Sequence, residues 1–114
     1  MIIDKYFNIP YYTGGRDFRG CDCWGFCVIL NKTLFNIDLP IWNIDEVFDI
    51  NQAKEKFVEV TTPQDGDIVL MRSNTSIAHT GIVVENTVIH MTKSGVSQVN
   101  LPGPHKIGFY RLKH

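Results

Sequence analysis

The stretch GCDCWGFCVIL, residues 20–30, decides the fold of this chain. Asp22 belongs to the residue types that cap helices, because its carboxylate can accept hydrogen bonds from the free N–H groups of a first turn. The apolar residues that follow recur at helical spacing: Phe26, Cys27, Leu30 and Leu34. The pattern therefore predicts a helix that begins at or beside Cys23.

The segments on either side of this helix have different patterns. The first twenty residues are rich in glycine and proline, which predicts an extended arm and a loop. Pro40 closes the helical region, and apolar residues alternating with acids and lysines predict a second helix over residues 43 to 57. From residue 65 onward, five short runs of strand-forming residues follow: IVLM, IAHTGIVV, TVIHM, GVSQV and IGFYRL. This order predicts an α+β fold, with N-terminal helices packed against a C-terminal antiparallel sheet of five to six strands, curled as a half-barrel.

Length and composition indicate one globular domain over residues 1–114. The chain is 44% hydrophobic and 20% charged, which excludes general disorder. Its longest apolar run, residues 26–30, is far shorter than the roughly twenty residues of a membrane-spanning helix. Asp4 and Lys5 stand where a secretory signal would be apolar, so we expect synthesis in the cytoplasm without a signal peptide.

The net charge of −1 lacks the basic excess of a nucleic-acid binder, and we expect no nucleic-acid partner. Acids dominate residues 38–67 and bases dominate residues 68–114. We interpret these two regions as solvated faces of opposite sign.

Cys23, His79 and His90 are the strongest candidates for catalytic residues. A cysteine at a helix N-terminus feels the positive end of the macrodipole, which favours thiolate over thiol. His79 and His90 fall on successive predicted strands joined by a tight turn, and antiparallel pairing can bring two imidazoles side by side. A nucleophile, a base and a group that orients the base are what thiol acyl transfer requires.

Each of these residues also has a purely structural interpretation. Cys27 is expected to be an apolar filler, and Cys21 precedes the helix and lacks its dipole. Single histidines on strands are commonly structural. An odd count of three cysteines argues against a disulfide framework, and C-x-C-x3-C lacks the paired knuckles of zinc sites. We predict no metal and no cofactor, with a zinc-binding module as an alternative.

Four segments together resemble the NlpC family of papain-like cysteine peptidases. YYTGGRDFRGCDCWGFC, residues 11–27, is similar to the family's opening, where a tyrosine and a Gly-Gly turn precede an Asp-Cys pair at a helix start. PQDGDIVLMR resembles its Pro-x-x-Gly-Asp strand start, AHTGIVVENTVIH its His-x-Gly-Ile strand and turn, and IGFYRL its closing strand. The segments follow one another in the family's order over most of the chain.

The resemblance implies an enzyme with a Cys-His-His triad. Cys23 would be the nucleophile, His79 its base and His90 the third member that orients His79. Tyr11 would line the oxyanion site with the backbone N–H of Cys23, and Tyr12 is the competing candidate for that role. Family members commonly hydrolyse amide bonds in peptidoglycan stem peptides, often between D-glutamate and a diamino acid, so the resemblance implies peptidoglycan as the partner.

One position departs from the family pattern. Many members have serine after the nucleophile, and that serine helps the preceding aspartate to bind a free amine of the substrate. Here the two positions are Asp22 and Trp24, and an indole is expected to reshape the subsite. Gly25 and Gly81 are expected to allow close approach of helix and sheet.

The Cys-Trp-Gly segment, the GGRDF stretch and the FYR ending are most similar to the tail-tip peptidases of bacteriophages. This resemblance implies a virion-tail protein that acts in the periplasm or cell wall and contacts other tail-tip proteins. A bacterial enzyme acting on recycled wall peptides is an alternative location. A tail component that keeps the fold and lacks activity is an alternative function.

Overall fold

A computed structural model describes residues 4–41, 55–72 and 79–113 of the chain. Its elements are, in chain order, a 3₁₀ helix Asp4–Asn8, β1 Arg16–Asp17, β2 Gly20–Cys21, α1 Cys23–Phe35, β3 Phe57–Val60, β4 Ile68–Met71, β5 His79–Val84, β6 Thr87–Thr92, β7 Gly95–Asn100 and β8 Lys106–Leu112. The predicted α+β fold class is confirmed: a helix near the N-terminus precedes a six-stranded antiparallel sheet.

Helix α1 begins where the sequence predicts. The Asp22 carboxylate accepts a hydrogen bond from the Gly25 backbone N–H at 2.7 Å, which satisfies one of the free donors of the first turn. At the other end, Asn36 takes a left-handed conformation with φ of 54°. Its N–H then bonds to carbonyls of the last turn, so both ends of the helix are capped.

The helix lies inside the molecule and is buried around most of its circumference. The buried residues are Trp24, Gly25, Phe26, Cys27, Ile29, Leu30 and Asn31. The N-terminal arm covers part of it, with the Tyr6 hydroxyl donating to Thr33 Oγ1 at 3.0 Å. Within the described ranges, no helix is both long enough and apolar enough to span a bilayer.

The six-stranded sheet has the order β3-β8-β4-β5-β6-β7, and all its described pairings are antiparallel. Its central hairpin joins β5 to β6 through Glu85 and Asn86, whose φ angles are 48° and 64°. Two positive φ values are typical of the tight turns whose twist matches that of paired strands. This hairpin fixes His79 and His90 on neighbouring strands.

The two faces of the sheet bury different side chains. The face toward α1 carries Ile68, Leu70, Ile82, Val84, Ile89 and Met91, which join the main core. The opposite face carries a smaller apolar cluster of Val69, Met71, Val83, Val88 and Phe109. Because β4, β5 and β6 are apolar on both faces, the strands that carry the histidines are held rigidly from both sides.

The predicted second helix needs a correction at its end. Residues 42–54 lie outside the described part of the chain, and Glu55 and Lys56 are helical. Phe57, expected to be the last helical residue, instead begins β3 and pairs with Leu112 of β8. The Phe57 ring is 3% exposed and meets the indole of Trp24 edge-on at 6.2 Å. Core packing and pairing with a distant strand therefore decide its conformation.

Candidate active site

Asp22 fastens the start of α1 to the segment that precedes it. Its carboxylate is fully buried and accepts three hydrogen bonds: from Gly25 N at 2.7 Å, from Arg16 Nη1 at 2.8 Å and from Gly14 N at 3.1 Å. These bonds join the Gly-Gly turn, the β1–β2 hairpin and the first helical turn. Cys23, the next residue, is half-buried at the helix N-terminus.

Gly25 and Gly81 both permit close approach, but not of the helix to the sheet, as was expected. Each glycine makes room for a different neighbour. A Cβ on Gly25 would lie 2.2 Å from the carbonyl oxygen of Gly15, so this glycine lets the hairpin loop contact the helix. A Cβ on Gly81 would lie 2.8 Å from Val88 Cγ1 and 3.2 Å from His90 Cβ. Gly81 therefore leaves room for side chains of the neighbouring strand.

His79 and His90 are in direct contact. The Nε2 atom of His79 lies 2.7 Å from Nδ1 of His90, and the two rings meet edge-on at 74°. In such a bond one nitrogen carries the hydrogen and the other accepts it. The contact fixes the orientation of the His79 ring.

Both imidazoles are neutral at physiological pH. Burial, reinforced by the nearby His90, lowers the pKa of His79 from 6.5 to about 4. Burial also lowers the pKa of His90. A neutral imidazole is the form that can accept a proton, so His79 has the protonation state of a base.

The helix N-terminus was expected to lower the pKa of Cys23, and this prediction is wrong. Burial raises the pKa of the Cys23 thiol, and this desolvation outweighs the hydrogen bonds that favour the thiolate. The sequence suggested only the helix N-terminus and could not show how deeply the sulfur is enclosed. In the free protein, the thiol is therefore neutral at pH 7.

Thr80 is a site residue that the sequence analysis missed. It is fully buried and hydrogen-bonds to Cys23 through both its side chain and its backbone, which opposes the rise in the pKa of Cys23. Cys27 Sγ also donates to Thr80 Oγ1, at 3.8 Å. The available signal was only its position next to His79 in the predicted strand.

Cys27 is fully buried, as expected of an apolar filler, and Cys21 is fully buried as well. Burial raises the pKa of Cys21 to about 12 and that of Cys27 well above its ordinary value. Both therefore stay protonated and are poor nucleophiles. Within residues 4–41, 55–72 and 79–113, no group of three or more His, Cys, Asp or Glu side chains is placed to hold a metal ion.

The three aromatic residues around Cys23 have different surroundings. Tyr11 is half-buried and forms a parallel bridge with Cys21, close to the helix start, whereas Tyr12 is 68% exposed. Trp24 is fully buried, and its Nε1–H donates to the carbonyl oxygen of Pro40 at 2.8 Å. Any influence of Trp24 on substrate choice must therefore act through packing, because the indole is not on the surface.

Comparison with known proteins identifies the family of this chain. Residues 8–109 match the model of the family described as NlpC/P60. The chain belongs to the NlpC/P60 family. The NlpC family resemblance found in the sequence is thus confirmed.

Relatives and solved structures of the NlpC/P60 family agree with this assignment. The chain is 32% identical over 108 residues to proteins named murein DD-endopeptidase MepS/murein LD-carboxypeptidase, from Escherichia coli K12 and O157:H7. The match covers 89% of this chain and 55% of each relative, so the chain spans about half their length. The NlpC/P60 domain of the peptidoglycan hydrolase SagA has the same fold, with a TM-score of 0.66, 21% identity, and coverage of 95% of this chain and 91% of that domain.

Proposed function

We propose that this NlpC/P60 chain is a cysteine peptidase that hydrolyses amide bonds in peptidoglycan stem peptides. The observation that carries the proposal is the 2.7 Å contact between His79 and His90, on strands packed beside a helix whose first residue is Cys23. The hydrogen bonds from Thr80 support it, because they place the sulfur next to the residue that follows His79.

The proposed reaction uses the second nitrogen of His79. If His79 Nε2–H donates to His90 Nδ1, then His79 Nδ1 keeps its lone pair and can accept the proton of the Cys23 thiol. The sulfur attacks the scissile carbonyl as that proton moves, and the protonated imidazole then gives the proton to the leaving amine. Water hydrolyses the resulting thioester and restores the thiol. His90 acts by orienting His79 and stabilising its charged form.

Oxyanion stabilisation is assigned to the Cys23 backbone N–H and the Tyr11 hydroxyl. Donors fixed before the reaction stabilise the developing charge without reorganising solvent, and losing one costs about 2.7–4 kcal/mol. The bridge between Tyr11 and Cys21 supports this role. It holds the Tyr11 backbone beside Cys21, which precedes the nucleophile by two residues.

The proposed bond lies between D-glutamate and the diamino acid of the stem. The names of the relatives in Escherichia coli, which describe murein endopeptidases, support a peptidoglycan substrate. Mass spectrometry of muropeptides after incubation with the wild-type chain identifies the cleaved bond. Products that retain this bond and are cut elsewhere would replace the assignment.

Three alanine variants test the assignment of the nucleophile. Cys23→Ala should yield no muropeptide products, whereas Cys21→Ala and Cys27→Ala should keep activity because both thiols lie in the core. Equal loss in all three variants would contradict the proposal and indicate a packing role.

His90→Ala should turn over more slowly than wild type, and unchanged kinetics would remove His90 from the site.

We further propose that the protein belongs to a bacteriophage tail, where it would meet other tail-tip proteins and reach the cell wall with the virion. The Cys-Trp-Gly segment, the GGRDF stretch and the FYR ending support this location. Mass spectrometry of purified virions, together with the neighbourhood of the gene, tests it. A gene set among bacterial wall-recycling functions, with no protein in virions, would refute it.

A further inference from the structure

A cavity of about 290 Å³ opens at the β1–β2 hairpin. Its lining residues are Tyr12, Gly15, Asp17, Arg19 and Gly20. The hairpin ends at Cys21, two residues before Cys23 in the sequence. Pockets for small ligands begin near 300 Å³, and a cavity of this size has room for a single ring-sized group.

The Tyr12 ring is held at this cavity by a fixed backbone. The Tyr12 N–H donates to the carbonyl oxygen of Cys21 at 3.0 Å, and its own carbonyl accepts from Gly15 N at 2.9 Å. A Cβ on Gly20 would lie 2.7 Å from Tyr12 Cβ, so only glycine allows this packing. The ring nevertheless remains 68% exposed. An aromatic face that is already ordered binds a ligand at little further entropic cost.

The polar rim of the cavity carries no net charge. Arg19 Nη2 lies 3.1 Å from Asp17 Oδ2, and the Arg19 backbone N–H donates to Asp17 Oδ1 at 2.9 Å. The carboxylate supplies acceptors and the guanidinium supplies donors, while their charges cancel. Such a rim suits a neutral ligand rich in hydroxyl groups better than an ionic one.

The helix start does not offer a site for a free amine of the substrate. The Asp22 carboxylate is buried and already bonded to Gly25, Arg16 and Gly14, and the next-but-one residue, Trp24, is in the core. A stem peptide therefore has no need to begin with an unblocked amino group. It can remain attached to the glycan strand while it is cleaved.

We propose that the hairpin cavity binds a neutral N-acetylated amino sugar of the glycan strand, with its C–H face against Tyr12 and its hydroxyls on Asp17 and Arg19. This inference rests on the proposed function, because it names the part of the same substrate that lies next to the stem.

The test measures sugar binding without turnover. The Cys23→Ala variant of the 114-residue chain is titrated with the disaccharide of N-acetylglucosamine, and binding is followed by calorimetry and by NMR. Adding Tyr12→Ala should weaken binding at least about tenfold, whereas Tyr12→Phe, which keeps the ring, should retain it. Phe18→Ala is the matched control: Phe18 is 50% exposed on the same hairpin but does not line the cavity.

A second pair of probes separates this inference from the proposed function. N-acetylmuramyl dipeptide should bind more tightly than the same dipeptide without the sugar, and Tyr12→Ala should abolish the difference. Muropeptide cleavage by wild type with no saturable sugar binding, or with equal binding by Tyr12→Ala, would overturn the sugar site alone. Tyr12-dependent sugar binding with no cleavage of any muropeptide would keep the sugar site and overturn the peptidase.

Discussion

At the scale of single residues, burial decides the protonation of the proposed reacting groups. The pKa of the Cys23 thiol is raised and that of the His79 imidazole is lowered to about 4, so both are neutral near pH 7. In such a neutral pair, the proton of the Cys23 thiol moves to His79 while the sulfur attacks the substrate. The residue that opposes the rise in the pKa of Cys23 is Thr80, through its hydroxyl and its backbone.

This arrangement predicts how Cys23 reacts with a small alkylating agent. The labelling rate of the wild-type chain with iodoacetamide should climb from pH 7 to above pH 9, because the thiolate forms only there. Thr80→Val should move this profile to higher pH and slow labelling at a fixed pH by about two- to tenfold, as expected for one hydrogen bond of roughly 0.5–1.5 kcal/mol. Mass spectrometry of the labelled chain measures both rates.

Thr33→Val provides the control, because Thr33 lies on another part of the helix. Its hydroxyl donates to the Ile29 carbonyl oxygen and accepts a hydrogen bond from the Tyr6 hydroxyl. A plateau of wild-type labelling already at pH 7 would show a preformed thiolate and contradict the neutral pair. Equal shifts in the two threonine variants would assign the effect to packing.

At the scale of secondary structure, local signals predicted α1 and the five strands β4 to β8. The Asp22 cap and the strand-forming runs carry enough information for these elements. Strand β3 was missed, because FVEV overlaps and follows the end of the predicted helix over residues 43 to 57, and its partner β8 lies far along the chain. The contact between Thr80 and Cys23 was also missed, because it depends on how α1 packs on β5.

The hairpin of β5 and β6 requires glycine at position 81. In Gly81→Ala, the new methyl group would contact Val88 Cγ1 at 2.8 Å and press toward His90 Cβ at 3.2 Å. We expect a loss of stability of about 1–3 kcal/mol from overpacking, together with reduced peptidase activity because His90 is displaced from His79. Urea denaturation and muropeptide turnover measure the two effects. Full activity would show that His90 tolerates the shift.

A bidentate ion pair joins β8 to the segment before β4. Arg111 Nε and Nη2 lie 2.9 and 2.8 Å from the two carboxylate oxygens of Asp67, which is 2% exposed. Arg111→Met leaves a buried carboxylate without its partner and should destabilise the fold by about 3 kcal/mol. Urea denaturation measures the change.

The exposed pair of Arg19 with Asp17 is the matched control for this prediction. Its side chains are 92% and 55% exposed, and surface pairs contribute only about 0–1 kcal/mol. Arg19→Met should therefore barely shift the denaturation midpoint. Similar midpoints for the two methionine variants would contradict a structural role for the buried pair.

At the scale of the whole molecule, the sheet order brings together residues that are distant in sequence. Composition predicts a globular domain and the family motifs predict the α+β class, but the order β3-β8-β4-β5-β6-β7 depends on pairings that no local signal encodes. Burial of Cys23, His79 and Trp24 likewise results from assembly of helix, sheet and N-terminal arm. This is why the positions of the predicted site residues were better anticipated than their surroundings.

Buried titratable groups also set the pH range of stability. The unfolded chain protonates His79 near pH 6.5, whereas the folded pKa is about 4, so stability should fall as pH drops from 6.5 toward 4. The unfolded Cys21 thiol ionises near pH 9, whereas its folded pKa is about 12, so stability should also fall as pH rises above 9. Thermal denaturation across pH 4 to 11 measures the curve.

Two variants assign the two limbs of this curve. His79→Gln should make the acid limb less steep and Cys21→Ala the alkaline limb less steep, each relative to its own stability at pH 7.5. The remaining slopes come from His90 on the acid side and from Cys23 and Cys27 on the alkaline side. An acid limb unchanged in His79→Gln would contradict the lowered pKa of the buried imidazole.

Because Cys21 and Cys27 are fully buried, Cys23 is the thiol that a labelling reagent can reach in the folded protein. A maleimide dye applied to the native chain at mildly alkaline pH would tag one position without any engineering. The ratio of dye to polypeptide would then count the correctly folded molecules in a preparation, since denatured chains take up three dyes. The same tag would sit at the first residue of α1 and serve as an optical sensor of ligands that bind beside it.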